Sequence, residues 1–188
     1  MSLHDLDQGA LVLARTRAHS PGSERVVAAY SRLGEHAACW LALGVSGALL
    51  ARDQERRRAW RRGVRVVTAA YGLNFAVKVA SRRRRPVLEG LPPLTGTVSG
   101  LSFPSAHATT SFAAARSYRG LVPAGGLYLA AAALALSRPY LGVHYPGDVL
   151  AGALLGTLVA ELWPASARCT RGLAMTPRTS RAASAVRR

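Results

Sequence analysis

Three short polar clusters stand out from otherwise apolar sequence. The first is Lys78, six intervening residues, and Arg85-Pro86; the second is Pro104-Ser105-Ala106-His107. The third is Ser137-Arg138, five residues, His144, three residues, and Asp148. Lys78, Arg85 and Arg138 are three cations, and Ser105 adds a hydroxyl and backbone donors at an expected helix start. A group with two negative charges and several oxygens satisfies such a set. Two histidines accompany the cations. The spacing from His144 to Asp148 places both on one face if the segment is helical, so the carboxylate can fix the imidazole tautomer and stabilise its cation. One histidine is then an oriented nucleophile and the other a proton donor, the division of labour that phosphoryl transfer requires.

The elements that must carry these clusters are apolar. The 188 residues suit one domain; 49% are hydrophobic, only 6% aromatic, and the formal net charge is +16. That charge admits nucleic acid, an anionic membrane surface or a phosphorylated substrate as partner. The arginines lie between apolar runs rather than in a polar chain, which favours a bilayer and argues against nucleic acid. Cys39 and Cys169 suggest neither a disulfide framework nor a zinc site. Acidic residues at the N-terminus do not fit a cleavable signal.

Residues 3–18 read as an amphipathic interfacial helix carrying Leu3, Leu6, Ala10, Leu13 and Ala14, broken by Ser20-Pro21-Gly22-Ser23. Five apolar stretches follow, at about 36–50 (with an extension back toward Tyr30), 64–80, 105–119, 121–136 and 146–163. Each is close to the roughly 20 residues a bilayer needs. The expected fold class is therefore all-α, an integral-membrane bundle of about five transmembrane helices. The expected organisation is an interfacial segment over 1–30, the bundle over 31–165, and a basic, disordered tail over 166–188. A loop from Arg52 to Arg62, the turn holding Arg116 and Arg119, and the tail share one face, which the positive-inside rule makes cytoplasmic. The polar clusters then face outward, together with the run Arg82-Arg83-Arg84, read as solvated or facing lipid headgroups.

The clusters closely resemble the three motifs of the type 2 phosphatidic acid phosphatase (PAP2) superfamily, K-x6-R-P, P-S-G-H and S-R-x5-H-x3-D, in order and with internal spacing intact. The resemblance implies a helical-bundle phosphatase in which His144 attacks phosphorus and becomes phosphorylated while Asp148 holds its other ring nitrogen. It implies that His107 protonates the leaving oxygen and then activates water. Lys78, Arg85 and Arg138 would bind the non-bridging oxygens, with the Ser105 hydroxyl and the Ala106 amide as further donors, and no metal or other cofactor would be needed. One position departs: the usual glycine is Ala106, which would be strained if positive φ were required.

Simpler readings stand beside these. His36 with Glu35 reads as interfacial, with a role in substrate binding left open. Tyr71 and Asn74 are polar groups that face a bundle interior, and Tyr140 and Tyr145 suit an interfacial aromatic belt. A metal site from His107, His144 and Asp148 lacks a second carboxylate or a cysteine. Ser31-Arg32-Leu33-Gly34-Glu35-His36 and the stretch 101–109 resemble a small subgroup of the superfamily. Its substrate is a polyprenyl-phosphate-linked sugar 5-phosphate of arabinan precursor synthesis, so the expected partners are a bilayer and such a lipid. The alternatives are a polyprenyl pyrophosphate phosphatase, a phosphatidic acid or phosphatidylglycerophosphate phosphatase and, in a different class, a silent adaptor for anionic lipid.

Overall fold

The computed structural model describes residues 2–164. Among the described residues there are seven α-helices and no strand: α1 (Leu3–Thr16), α2 (Pro21–Arg32), α3 (Ala38–Leu50), α4 (Gln54–Ser81), α5 (Ala106–Tyr118), α6 (Ala124–Tyr140) and α7 (Pro146–Leu162). The basic tail, with Cys169, lies outside the described residues. The all-helical expectation and the five apolar elements, α3 to α7, match.

Three local readings change. The N-terminal segment forms two helices, each opened by a reciprocal cap: Ser2 with Asp5 for α1, and Ser20 with Ser23 for α2. The arginine-rich stretch from Arg52 to Arg62 is not a loop but mostly the start of α4. Asp53 caps that helix by accepting from the Arg56 amide at 2.7 Å, and Glu55 lies in its first turn, where negative charge suits the helix dipole. The first span is interrupted: α2 and α3 are separated by a 3-10 turn, Glu35–Ala37, in which His36 and Ala37 have φ of 52° and 60°. Among the described residues no single helix is long and apolar enough to cross a membrane, whereas α2 with the segment 35–50 passes as a pair bent by 48°.

α5 is the centre of the bundle, packed against α4, α6 and α7 and buried on nearly every side. Most of its buried residues are small (Ala108, Thr109, Thr110, Ser111, Ala113, Ala114 and Ala115), and Tyr118 closes its end. Tyr118 is fully buried against Trp60, and its hydroxyl donates to the Trp40 carbonyl at 3.1 Å. On α7, Gly152 and Gly156 bring the backbone against α5. A Cβ at Gly156 would collide with the backbone at Thr109, and one at Gly152 would lie 3.1 Å from the Ala108 side chain. The opposite face of α7 carries Leu150, Leu154, Leu158 and Leu162, all exposed. Small residues inside and large apolar ones outside is the reverse of a water-soluble helix and the pattern of close packing in lipid.

The two ends of the bundle differ. One gathers the start of α4, the end of α5 and the end of α7: Arg56 donates to the Leu121 carbonyl at 3.2 Å, and Arg62 to the Trp163 carbonyl at 3.0 Å. The other gathers the end of α4, the start of α5, the end of α6 and the start of α7, and all three polar clusters stand there. Gly156→Ala is expected to destabilise the detergent-solubilised protein by roughly 1–3 kcal/mol through overpacking against α5. Gly125→Ala on α6, where nothing lies within 4 Å, is expected to be neutral or slightly stabilising. Thermal unfolding followed by circular dichroism checks both.

Candidate active site

The segment between α4 and α5 is folded back on itself, and this places the first cation pair. The Arg85 amide donates to the Gly100 carbonyl at 3.2 Å, and the Ser102 amide to the Arg83 carbonyl at 2.8 Å. Arg85 is aimed by three carbonyl and ring contacts: Nε to Ser99 O at 2.7 Å, Nη1 to Val143 O at 2.6 Å, and Nη1 to His144 Nε2 at 3.0 Å. Lys78, at the last turn of α4, donates to the carbonyls of Leu101 and Ser102 at 3.2 and 3.1 Å. Arg138, in the last turn of α6, donates from Nη1 to Ser31 Oγ at 2.7 Å, while its buried Nε has no partner. These cations converge without a carboxylate between them and leave donors unspent, the condition for holding a dianion.

Of the eight residues expected from sequence, six line one cavity of about 450 Å³: Lys78, Arg85, Ala106, His107, Arg138 and His144. Asp148 and Ser105 lie behind them. Asp148 is fully buried, and the Ser105 amide donates to its carbonyl at 3.0 Å. The Ser105 hydroxyl is itself buried and unpartnered, and Ser105 is not among the residues that line the cavity. Ala106 is not among the residues with positive φ; the missing glycine causes no strain, because the position opens α5 with helical geometry.

His144 does not share a helix face with Asp148, as its spacing suggested. It precedes α7, whose N-cap is Tyr145, and Asp148 sits in the first helical turn. The two meet because the carboxylate turns back over the cap: Oδ2 accepts from the Tyr145 amide at 3.0 Å and lies 3.4 Å from His144 Nδ1. That separation is longer than a formed hydrogen bond, and such contacts tighten when substrate binds. Burial pushes the His144 imidazole well below the ordinary histidine range, and the charges of Arg85, Arg138 and Lys78 push the same way. A neutral ring that accepts from Arg85 at Nε2 carries its proton on Nδ1, toward Asp148. His107 Nε2 donates to the Ser31 carbonyl at 3.0 Å. Among the described residues no three His, Cys, Asp or Glu side chains group to hold a metal ion.

Four contributors lie outside the defined positions of the three motifs. Arg83, expected to be solvated, bridges two carboxylates: Nη1 to Asp148 Oδ1 at 2.8 Å and Nη2 to Asp7 Oδ2 at 2.7 Å, with its guanidinium 4.1 Å from the centre of the Tyr145 ring. Asp7 also accepts from the Gly147 amide at 2.7 Å, so α1 holds the first turn of α7. Its partner on the same stripe, Arg15, donates to the carbonyls of Pro92 and Tyr140 at 2.8 and 3.3 Å. Ser31 supports both Arg138 and His107. The only advance signal was the spacing of Asp7, Leu11 and Arg15, one helical stripe on which Leu11 is fully buried. Arg83→Ala is expected to lower kcat for a phosphomonoester roughly 10–100-fold, as losing an orienting partner does. KM should stay within about twofold because the oxygen-binding cations are untouched, and Arg83→Lys should recover part of kcat. Steady-state kinetics on the three proteins check this, and an unchanged kcat would reduce Arg83 to a structural tie.

Against this geometry the comparisons with known proteins are consistent. Residues 64–168 match the PAP2 superfamily. The chain is 41% identical over 134 residues to a decaprenylphosphoryl-5-phosphoribose phosphatase of Mycolicibacterium smegmatis, covering 70% of this chain and 72% of that protein. It is 38% identical over 145 residues to the protein of that name from Mycobacterium tuberculosis, covering 76% and 79%. In fold it resembles LpxE of Aquifex aeolicus, with TM-score 0.72 and 22% identity over 86% of this chain and 97% of that one. A second likeness is the transmembrane PAP2-type phosphatidylglycerolphosphate phosphatase of Bacillus subtilis, with TM-score 0.67 and 24% identity over 85% and 83%. Sequence match, bundle and converging motifs agree: the chain belongs to the PAP2 superfamily of phosphatases.

Proposed function

We propose that this protein is a multi-pass membrane phosphatase that removes the phosphomonoester of a polyprenyl-phosphate-linked sugar phosphate, of the decaprenylphosphoryl-5-phosphoribose kind, in cell-wall arabinan precursor synthesis. The observation that carries the chemistry is the convergence of Lys78, Arg85 and Arg138 on the cavity that holds His144, whose Nε2 meets Arg85 and whose Nδ1 side is backed by Asp148. The substrate class follows from relatives at about 40% identity over most of both chains. The bilayer is supported by the leucine-lined outer face of α7 and by the bent pair of α2 and α3. About five spans are proposed within a phosphatase domain over 31–165, with α1 resting at the interface and the basic tail beyond. The arginine-rich end of the bundle faces the cytoplasm and the active site faces outward.

The reaction follows from the atoms present. A phosphoryl oxygen takes over the Arg85 Nη1 donor, which frees the Nε2 lone pair of His144. That lone pair attacks phosphorus in line with the ester oxygen; the N–P bond forms and the P–O bond breaks. The leaving oxygen receives a proton from His107, protonated in the complex. Lys78, Arg85 and Arg138 meet the charge on the equatorial oxygens, and Asp148 stabilises the phosphoimidazolium through Nδ1–H. His107 then takes a proton from water, whose oxygen displaces His144 from phosphorus. Inorganic phosphate leaves, and both histidines return to their starting states.

The test is phosphate release in detergent with EDTA, from polyprenyl-phosphoryl-ribose 5-phosphate, polyprenyl pyrophosphate and phosphatidic acid. Release from the first that survives EDTA and falls by at least roughly 10³-fold in His144→Ala is expected. Equal release by the variant would overturn the nucleophile, and exclusive release from another lipid would replace the substrate. Orientation is checked in a background lacking Cys39 and Cys169. An impermeant thiol reagent on intact cells should label a cysteine at Gly96 and spare one at Arg58.

A further inference from the structure

The cavity is far larger than a phosphate group, and part of its wall has its own chemistry. That part is the break between α2 and α3 together with the facing side of α4. Glu35, His36 and Tyr71 line it, and the hydroxyl-bearing residues Thr95, Thr97 and Ser99 close it from the loop side. Glu35 is the one carboxylate among the described lining residues, and among the described residues its side chain has no hydrogen-bond or ion-pair partner. An unpaired carboxylate in a cavity built for a dianion is unfavourable on charge alone. It becomes favourable when the same ligand also presents hydroxyl donors, because a carboxylate only accepts.

The backbone is arranged to present these groups. His36 and Ala37 both have left-handed φ, 52° and 60°, although neither is glycine. Such backbone is unfavourable for residues with a side chain and clusters at functional sites. The turn also packs close to the cavity: a Cβ at Gly34 would lie 2.7 Å from the His107 ring. The His36 ring is oriented by a 2.9 Å hydrogen bond between Nδ1 and the Tyr71 hydroxyl, which leaves Nε2 for a ligand.

We infer that Glu35, His36 and Tyr71 form a subsite for the vicinal hydroxyl groups of a polyol leaving group, and that this subsite selects sugar phosphates over other lipid phosphates. The three candidate leaving groups differ in the relevant chemistry. A pentosyl group offers hydroxyl donors to Glu35. The diacylglycerol of phosphatidic acid offers ester oxygens, which are acceptors only. The leaving group of a polyprenyl pyrophosphate has no hydroxyl donor and carries its anion directly at the scissile oxygen, whereas the phosphodiester of the pentosyl substrate lies across the sugar ring from the scissile bond. The inference rests on the proposed sugar-phosphate reading and assigns the residues that would enforce it.

The experiment compares wild type, Glu35→Ala, Glu35→Gln and His36→Ala on two probes that share the phosphomonoester. One is polyprenyl-phosphoryl-ribose 5-phosphate; the other is p-nitrophenyl phosphate, which has no hydroxyl beside the scissile bond. Glu35→Ala is expected to lower kcat/KM for the ribose substrate roughly 10–100-fold, the range for losing hydrogen bonds to a charged group. Its rate on p-nitrophenyl phosphate should stay within about threefold. Glu35→Gln, which keeps one acceptor, should fall between, and His36→Ala should show a smaller loss confined to the ribose substrate. Equal loss on both probes overturns the inference in favour of a structural role, and so does an unchanged rate on the ribose substrate. A wild-type protein that ignores the ribose substrate but hydrolyses phosphatidic acid overturns the sugar-phosphate reading itself. A wild-type protein active on the ribose substrate with an indifferent Glu35→Ala overturns the subsite alone.

Discussion

Three cations share one cavity, and much of what surrounds them answers their mutual repulsion. The protein does not neutralise them with carboxylates, which would occupy the donors a substrate must use. It holds them with neutral oxygens instead: the carbonyls of Leu101 and Ser102 for Lys78, those of Ser99 and Val143 for Arg85, and the Ser31 hydroxyl for Arg138. Neutral acceptors orient a charge without cancelling it. The folded-back connection after α4 exists in this light to turn carbonyls inward, and Ser31 links α2 to the end of α6 for the same reason.

Asp148 and Asp7 are kept one layer further out. Asp148 reaches the imidazole and Arg83, and Arg83 passes the link to Asp7 on α1. An alternating chain of charges thus runs from His144 to a helix near the N-terminus, with each buried charge facing an opposite one. The first helix, which by sequence reads as an accessory to the bundle, is joined through Arg83 to the carboxylate beside His144. Arg15 on the same stripe fastens the cavity's loop to α6.

Much of this was legible before any coordinates. Motif spacing brought Lys78, Arg85, His107, Arg138 and His144 to one cavity, because charge at helix ends is conspicuous against Ala- and Leu-rich sequence. The helices matched for the same reason. What periodicity could not convey was the handling of helix ends. The His144–Asp148 pair looks helical by its spacing, yet the pair straddles an N-cap. The arginines after Arg52 look like a loop because they are charged, yet Asp53 caps them into a helix. Arg83 differs from Arg82 and Arg84 only in the direction its backbone gives it, and nothing in a run of identical residues encodes that. The kink at His36 and Ala37 was invisible because left-handed backbone there uses residues that ordinarily avoid it.

The unliganded contact between Arg85 and His144 Nε2 has a further consequence. The nucleophilic lone pair, on the proposed chemistry, is masked by the group that a phosphoryl oxygen must recruit, so arrival of the anion and exposure of the nucleophile are a single event. On the proposed chemistry the reverse also holds. Freed inorganic phosphate keeps Arg85 away from the ring for as long as it stays, and only its escape lets the mask return. On that chemistry the same cage makes the end product a competitor for the site it has just left.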